Sequence, residues 1–191
     1  MNKEVIKLLG ISKKFVGSNK DIVILKNINL KINKGELVSL TGPSGSGKST
    51  LLHIIALLDQ PSSGEVFFKN KSFSKSNDNE KDNVRRRGIS IIYQQNTLLS
   101  DFTALENVLM PLVNNGFSLE ESKKKATSTL SLVNLSKRLN HFPSELSGGE
   151  QQGVAVARAL ITESSHVYPL LTNGIATFSK AVKSLSKLFC W

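Results

Sequence analysis

The sequence predicts an α/β fold carrying a small helical lobe, and three observations point to it. Ile28, Leu30 and Ile32 alternate with Asn29 and Lys31, the period of a half-buried strand. A short apolar run, Leu37 to Thr41, leads through a glycine-rich loop into Lys48 to Leu58, which has the composition and length of a buried helix. Beyond Gln94 the apolar spacing changes to three and four residues, over Thr103 to Leu112 and again over Leu119 to Leu135. Strands first, then a helical insertion, then a closing helix is the order of an α/β core with an α lobe.

The remaining elements follow from local composition. Residues 4–11 are mostly apolar and suit a strand, and Ile22 to Leu25 is rich in β-branched residues. Asn33-Lys34-Gly35 reads as a turn. Gln60-Pro61-Ser62-Ser63-Gly64 ends the first helix and turns the chain towards a strand at Val66 to Phe68. Lys71 to Asn83 is polar and of low complexity, so an exposed loop is expected. Arg85-Arg86-Arg87 precedes a strand at Ile89 to Tyr93. Pro143 to Gly149 reads as a loop and Glu150 to Ile161 as a helix. No internal repeat is evident.

A chain of 191 residues suits one domain, with or without a small appended lobe. With 39% hydrophobic residues it can bury a core, which argues against global disorder. Cys190 is the only cysteine, so no internal disulfide forms, and a reducing compartment is the simplest reading. Met1 is followed by Lys3 and Glu4 without an apolar signal region. The densest apolar stretch, Leu51 to Leu58, contains His53 and falls far short of the roughly 20 residues a spanning helix needs. A soluble or peripheral protein is expected. Net charge is +10, and residues 1–34 hold eight lysines against Glu4 and Asp21. A basic face can serve nucleic acid, an anionic membrane or nothing specific. No RNA-binding or zinc-finger pattern accompanies it, so a solvated surface is expected, with no nucleic-acid partner.

Gly42-Pro43-Ser44-Gly45-Ser46-Gly47-Lys48-Ser49-Thr50 fits G-x-x-x-x-G-K-[ST] in full. Glycines let the main chain approach a phosphate closely, and successive N–H groups then form an anion nest. The helix beginning near Lys48 adds the positive end of its dipole. Lys48 places a compact cation on the outer phosphates, and the Ser49 hydroxyl suits Mg²⁺. A glycine-serine turn could match by chance, but the apolar strand before it and the apolar helix after it favour a nucleoside triphosphate, namely ATP with Mg²⁺. The fold class is therefore a P-loop NTPase core with an antiparallel N-terminal part.

Leu146-Ser147-Gly148-Gly149-Glu150 repeats the logic, with a Ser-Gly-Gly turn opening a helix. Alone it reads as an ordinary cap at Ser147. Together the two motifs resemble the ATP-binding subunits of ABC transporters, whose signature motif Leu146 to Glu150 matches. The resemblance implies a head-to-tail pair of identical subunits in which the signature of one closes over the ATP on the phosphate loop of the other. It places Gln94 in the Q-loop, as a metal contact and relay to the membrane partner. It places Phe15 where an aromatic ring stacks on adenine, although a core phenylalanine would look the same in sequence.

Gly45 to Val66, Thr103 to Leu112 and His141 to Glu150 look most like the lipoprotein-releasing branch of that family. The resemblance covers residues 1 to about 163. It implies a peripheral subunit at the cytoplasmic face of the inner membrane, acting with two integral membrane subunits. Its work would be to use ATP to release lipoproteins to a periplasmic carrier. Macrolide-export and cell-division ATPases are related alternatives. The nucleotide-binding domain is expected over 1–163, with the helical subdomain at about 95–148 and a divergent tail over 164–191.

Family members follow the signature helix with an apolar strand ending in Asp-Glu, then a switch histidine. Here no Asp or Glu follows Glu163. Val167 to Leu171 is interrupted by Pro169 and followed by Thr172-Asn173-Gly174, and His166 reads as a surface residue. No catalytic acid can be assigned, and the C-terminal strands are expected to be incomplete, through a truncation or frameshift. Gly153 stands where the family has arginine, and glycine within a helix costs up to about 1 kcal/mol against alanine. In the tail, Phe178, Ala181, Val182, Leu185, Leu188 and Phe189 fall on one side of a helical wheel, opposite Lys180, Lys183 and Lys187. This pattern suits a membrane surface, a packed helix or chance.

Two functional classes follow. One is an energy-coupling ATPase subunit. The other is a nucleotide-gated binding module, or a degenerate remnant, that does not hydrolyse. A soluble relative acting on DNA or the ribosome would be expected to carry two cassettes or a coiled-coil insertion, which this sequence lacks.

Overall fold

The structure, a computed structural model, describes residues 4–17, 20–34, 36, 38–93, 97–162 and 169–171, leaving aside the side chains of residues 87 and 169–171. Gln94, His166 and the amphipathic pattern of the tail lie outside the described residues. The chain divides into two compact units, Met1–Arg85 and Arg86–Trp191.

The first unit contains β1 (Glu4–Phe15), β2 (Ile22–Asn33), α1 (Lys48–Ile55), β3 (Ser63–Phe68) and β4 (Lys71–Ser72). Its strands form one antiparallel sheet in the order β2-β1-β3-β4. Alternation sorts the faces: Ile6, Leu8, Val66 and Phe68 are buried, while Lys7 and Phe67 pair on the opposite face with the lysine ammonium 5.4 Å from the ring. The two runs read separately at Ile22 to Leu25 and Ile28 to Ile32 form one strand. They join through Asn27, whose φ of 50° accompanies a register shift against β1. Side chains serve backbone amides here: Asn27 N–H donates to Ser12 Oγ at 3.0 Å and Gly10 N–H to Asn29 Oδ1 at 2.9 Å.

Two expectations are corrected. Lys71 to Asn83 is not an exposed loop. It supplies β4 and most of α2 (Asp78–Gly88), and Phe73 and Lys81 are both buried at 4% exposure. The polar sequence hides this helix because side chains define its ends. Asn77 Oδ1 accepts the Glu80 amide at 2.9 Å, and Arg85 donates to the Leu57 carbonyl while pairing with Asp82. Of the run expected as a strand at Leu37 to Thr41, the described residues 38–41 carry no ladder, and Val38 and Leu40 are 44% and 40% exposed. A strand exists only where neighbouring backbone takes up its N–H and C=O groups, and no described residue does so here.

The second unit contains β5 (Ser90–Ile92), α3 (Ala104–Asn114), α4 (Leu119–Leu132), a 3₁₀ turn (Pro143–Glu145), α5 (Gly148–Leu160) and β6 (Pro169–Leu171). The apolar stripes of the three helices meet in a core of Val108, Leu112, Ala126, Leu130, Val154 and Ala157, joined by Leu146. Ile92 of β5 packs with Ala155, Val156 and Ala159 of α5. Pro169–Leu171, the proline-interrupted stretch, forms a strand parallel to β5.

Asn107 is fully buried and satisfied. Its Oδ1 accepts from Leu99 N–H at 2.8 Å, and its Nδ2 donates to the carbonyls of Leu99, Phe102 and Thr103 at 2.9–3.1 Å. The Ser122 hydroxyl is equally buried and makes no hydrogen bond among the described residues. Opposite mutational outcomes follow. Asn107→Ala should lose about 2–4 kcal/mol in urea unfolding, because it strands buried backbone groups. Ser122→Ala should be neutral or gain up to about 1 kcal/mol, because it removes an unmet polar group. Equal losses in both variants would contradict this accounting.

Candidate functional site

The start of α1 differs from those of α3, α4 and α5. Helices α3, α4 and α5 each open with a reciprocal capping box, Thr103 with Glu106, Ser118 with Glu121 and Ser147 with Glu150. Helix α1 opens on Gly47 with no side-chain cap and no acidic residue in its first turn. The first amides of a helix have no acceptor within the helix. At α1 they are therefore left for something from outside, and no carboxylate offsets the positive dipole end.

The glycine loop shapes this opening. Gly45 and Gly47 have φ of 79° and 87°, in the left-handed region. A Cβ at Gly47 would lie 2.9 Å from Ile24 Cγ2 and 3.1 Å from the Ile24 carbonyl oxygen, so the helix start sits directly against β2. A Cβ at Gly45 would meet nothing within 4 Å beyond the adjoining residues. Gly42 to Ser46 are exposed, Lys48 is half-buried and Ser49 is exposed. The Lys48 ammonium folds over the loop, donating to the carbonyls of Gly42 at 2.9 Å and Pro43 at 2.7 Å. The concavity thus offers backbone donors, a hydroxyl and one mobile-stemmed cation, which is the chemistry of an anion cradle.

No group of three or more His, Cys, Asp or Glu side chains that could enclose a metal occurs among the described residues. A cation here would need the Ser49 hydroxyl together with oxygens brought by a bound anion, which suits Mg²⁺. Phe15, the other residue expected at this end, is half exposed and lies outside the core. The Lys13 ammonium is 5.2 Å from its ring centroid.

In the second unit Leu146 is buried in the helical core and pins the turn that follows it, while Ser147, Gly148 and Gly149 are exposed. Glu150 reaches back to accept the Ser147 amide at 2.8 Å, and the Ser147 hydroxyl accepts the Glu150 amide at 3.3 Å. Gln151 donates to the carbonyls of Pro143 at 2.8 Å and Leu146 at 3.2 Å. Arg138, which the sequence did not single out, donates to Glu150 at 2.7 Å. That bond, with those from Ser147, lowers the Glu150 pKa to about 2. Arg158 is a further residue missed in the sequence: its guanidinium donates to the carbonyl and hydroxyl of Thr97 at 2.9 and 3.1 Å.

The ABC transporter family profile matches residues 25–167, which contain both loops. The chain belongs to the ABC transporter family. It is 45% identical over 167 residues to the lipoprotein-releasing system ATP-binding protein LolD of Saccharophagus degradans, covering 87% of this chain and 73% of that protein. To LolD of Rickettsia bellii it is 45% identical over 163 residues, covering 85% and 72%. Among solved structures it is similar to the dimeric bacterial ABC transporter cassette MJ0796, with TM-score 0.85, 41% identity and coverage of 96% and 80%. A dimeric post-hydrolysis state of MJ0796 bound to ADP and Pi gives TM-score 0.86, 40% identity and coverage of 97% and 83%. The α/β cassette fold read from the sequence is therefore the fold of this chain.

As an ABC transporter cassette, the chain has one unusual helix position. A Cβ at Gly153 would lie 3.1 Å from Leu135 Cδ1. The cost expected of this glycine in α5 is thus accompanied by close packing of Leu135 against the helix. No described helix is long and apolar enough to cross a membrane.

The two loop glycines should respond differently to alanine. Gly47→Ala meets both a left-handed φ and the Ile24 backbone and should lose about 2–3 kcal/mol of stability. Gly45→Ala meets only the φ term, about 1 kcal/mol. Matching thermal shifts in the two variants would refute the claimed contact with β2. Glu150 makes a separate prediction. A depressed pKa contributes stability above the unfolded value of about 4.3, and that contribution is lost as pH falls through the folded one. Its carboxyl carbon resonance should therefore hold steady from neutral pH to 4 and titrate near pH 2.

Proposed function

We propose that this chain is the ATP-binding subunit of a lipoprotein-releasing ABC complex, holding ATP–Mg²⁺ at residues 42–50. The observation that carries the reading is the uncapped start of α1, framed by glycines and backed by Lys48, among helices that are otherwise capped. Amides at Gly45 to Ser49 and the Lys48 ammonium bind the phosphates. Lys48 would exchange its two carbonyl acceptors for phosphate oxygens, a change within reach of its flexible stem. Ser49 holds the metal, and Gln94 completes the metal contact on family grounds. Phe15 stacks on the base, consistent with its half-exposed ring.

The Leu146 to Glu150 turn receives the ATP of a second copy, so that two chains enclose two nucleotides head to tail. The dimeric state of the similar cassettes supports this arrangement. The names of the LolD relatives support lipoprotein release, and with it a peripheral position on two inner-membrane subunits. The nucleotide-binding domain extends over 1–163, with its helical part at about 95–148.

By family this is an ATP hydrolase. One observation favours a second reading for turnover. No Asp or Glu occurs among residues 164–191, so the Asp-Glu pair expected beyond the signature helix has no counterpart in β6 or in residues 172–191. Binding without efficient hydrolysis follows, since a missing general base costs about 10²–10⁴ in rate.

Purified chain should bind ATP with Mg²⁺, and Lys48→Ala should weaken binding at least about tenfold, the loss of one charge-assisted contact. Phosphate release should run about 10²–10⁴-fold below a relative that retains the Asp-Glu pair. Unchanged affinity in Lys48→Ala would overturn the site assignment. Turnover at the relative's rate would overturn the second reading alone.

A further inference from the structure

We propose that Arg138 is a positioning residue for the nucleotide-receiving turn Ser147-Gly148-Gly149, which it holds in place through its ion pair with Glu150. The inference rests on the reading above, that this turn receives the ATP of a second copy.

The two oxygens of Glu150 have separate tasks. One accepts the Ser147 amide at 2.8 Å and the other the Arg138 Nε at 2.7 Å. The cap alone does not require an arginine. The Ser118 and Thr103 boxes make the same reciprocal bonds with only the charges of Lys125 and Lys123 nearby, whereas Glu150 also accepts a hydrogen bond from Arg138. In the turn with a proposed ligand role, an arginine grips the capping carboxylate from a second direction.

Arg138 is itself fixed. Its amide donates to the Leu135 carbonyl at 2.9 Å, and its carbonyl accepts from His141 at 3.1 Å. The carbonyls of Leu139 and His141, in the same short segment, accept the amides of Leu105 and Ala104 in the first turn of α3, both at 2.9 Å. The arginine therefore ties the start of α3 to the start of α5. With one carboxylate oxygen held by Arg138 and the other by the cap, rotation of the Glu150 side chain is arrested, and Ser147 presents its hydroxyl in one orientation. The pair is partly solvent-exposed, at 43% for Arg138 and 27% for Glu150, so its contribution to global stability is small. Its effect appears instead at the exposed turn.

The experiment compares wild type, Arg138→Ala, Arg138→Lys and Glu150→Gln in three readouts. ATP-dependent self-association is followed by sedimentation, alongside binding of a fluorescent ATP analogue at concentrations where the chain is monomeric. Arg138→Ala should bind the analogue like wild type but associate about tenfold more weakly, since misplaced ligand groups cost at least that much. Arg138→Lys should recover only part of this, lacking the planar guanidinium. Glu150→Gln keeps an acceptor for the cap and should match Arg138→Ala. In the third readout, hydrogen exchange at the Ser147 amide of the free chain should rise several-fold in Arg138→Ala with little change in Tm. Wild-type exchange and association in Arg138→Ala would overturn the inference and leave the trans-site reading standing. A wild-type chain that binds ATP without associating would overturn that reading, and this inference with it.

Discussion

The proposed function of this chain depends on how the first amides of a helix are satisfied. Three helices satisfy them internally with a Ser or Thr hydroxyl and a Glu three residues on. Helix α1 does not, because a glycine stands at its cap and no carboxylate follows. At α1 the backbone donors are therefore left open, which is the feature the proposed phosphate site uses. Lys48 resting on two loop carbonyls holds that opening in shape with the cation already beside it.

Each unit supports its own loop by burial. In the first, the contact of Gly47 with Ile24 and Leu25 seats the helix start against β2, so the cradle inherits the rigidity of an antiparallel sheet. In the second, Leu146 is a core residue whose next three neighbours are exposed. One buried leucine thereby decides which residues face solvent, and Glu150 and Arg138 decide how they are held. Asn107 does a related task for the segment at 99–103, where its side chain bonds three carbonyls and an amide.

The strength of the family resemblance and the chemistry of the missing acid pull apart. Sequence identity of 45% over most of the chain and a TM-score of 0.86 place the fold beyond argument. Catalysis is not a property of fold. It requires a carboxylate near the attacking water, and no carboxylate follows Glu163 in the sequence. In the proposed function binding and hydrolysis are separable, because the proposed phosphate-holding groups precede Glu163 and the family's water-activating acid has no counterpart among residues 164–191.

Local chemistry was legible in the sequence. The phosphate loop, the Ser147 cap and the amphipathic stripes of α3, α4 and α5 are each encoded within about ten consecutive residues, so spacing alone reveals them. What the sequence left hidden depends on residues far apart along the chain. Helix α2 was obscured by its polar composition, since Asn77, Lys71 and Leu57 supply its partners. The run at 38–41 has a strand's composition but no backbone neighbour among the described residues, and β-structure is a property of pairs. Arg138 precedes Glu150 by twelve residues, a distance at which no periodicity operates. The sequence by itself determined which groups can meet a phosphate. Only the tertiary structure decided which side chains hold those groups still, because that selection is made by contacts across the fold and not by order along the chain.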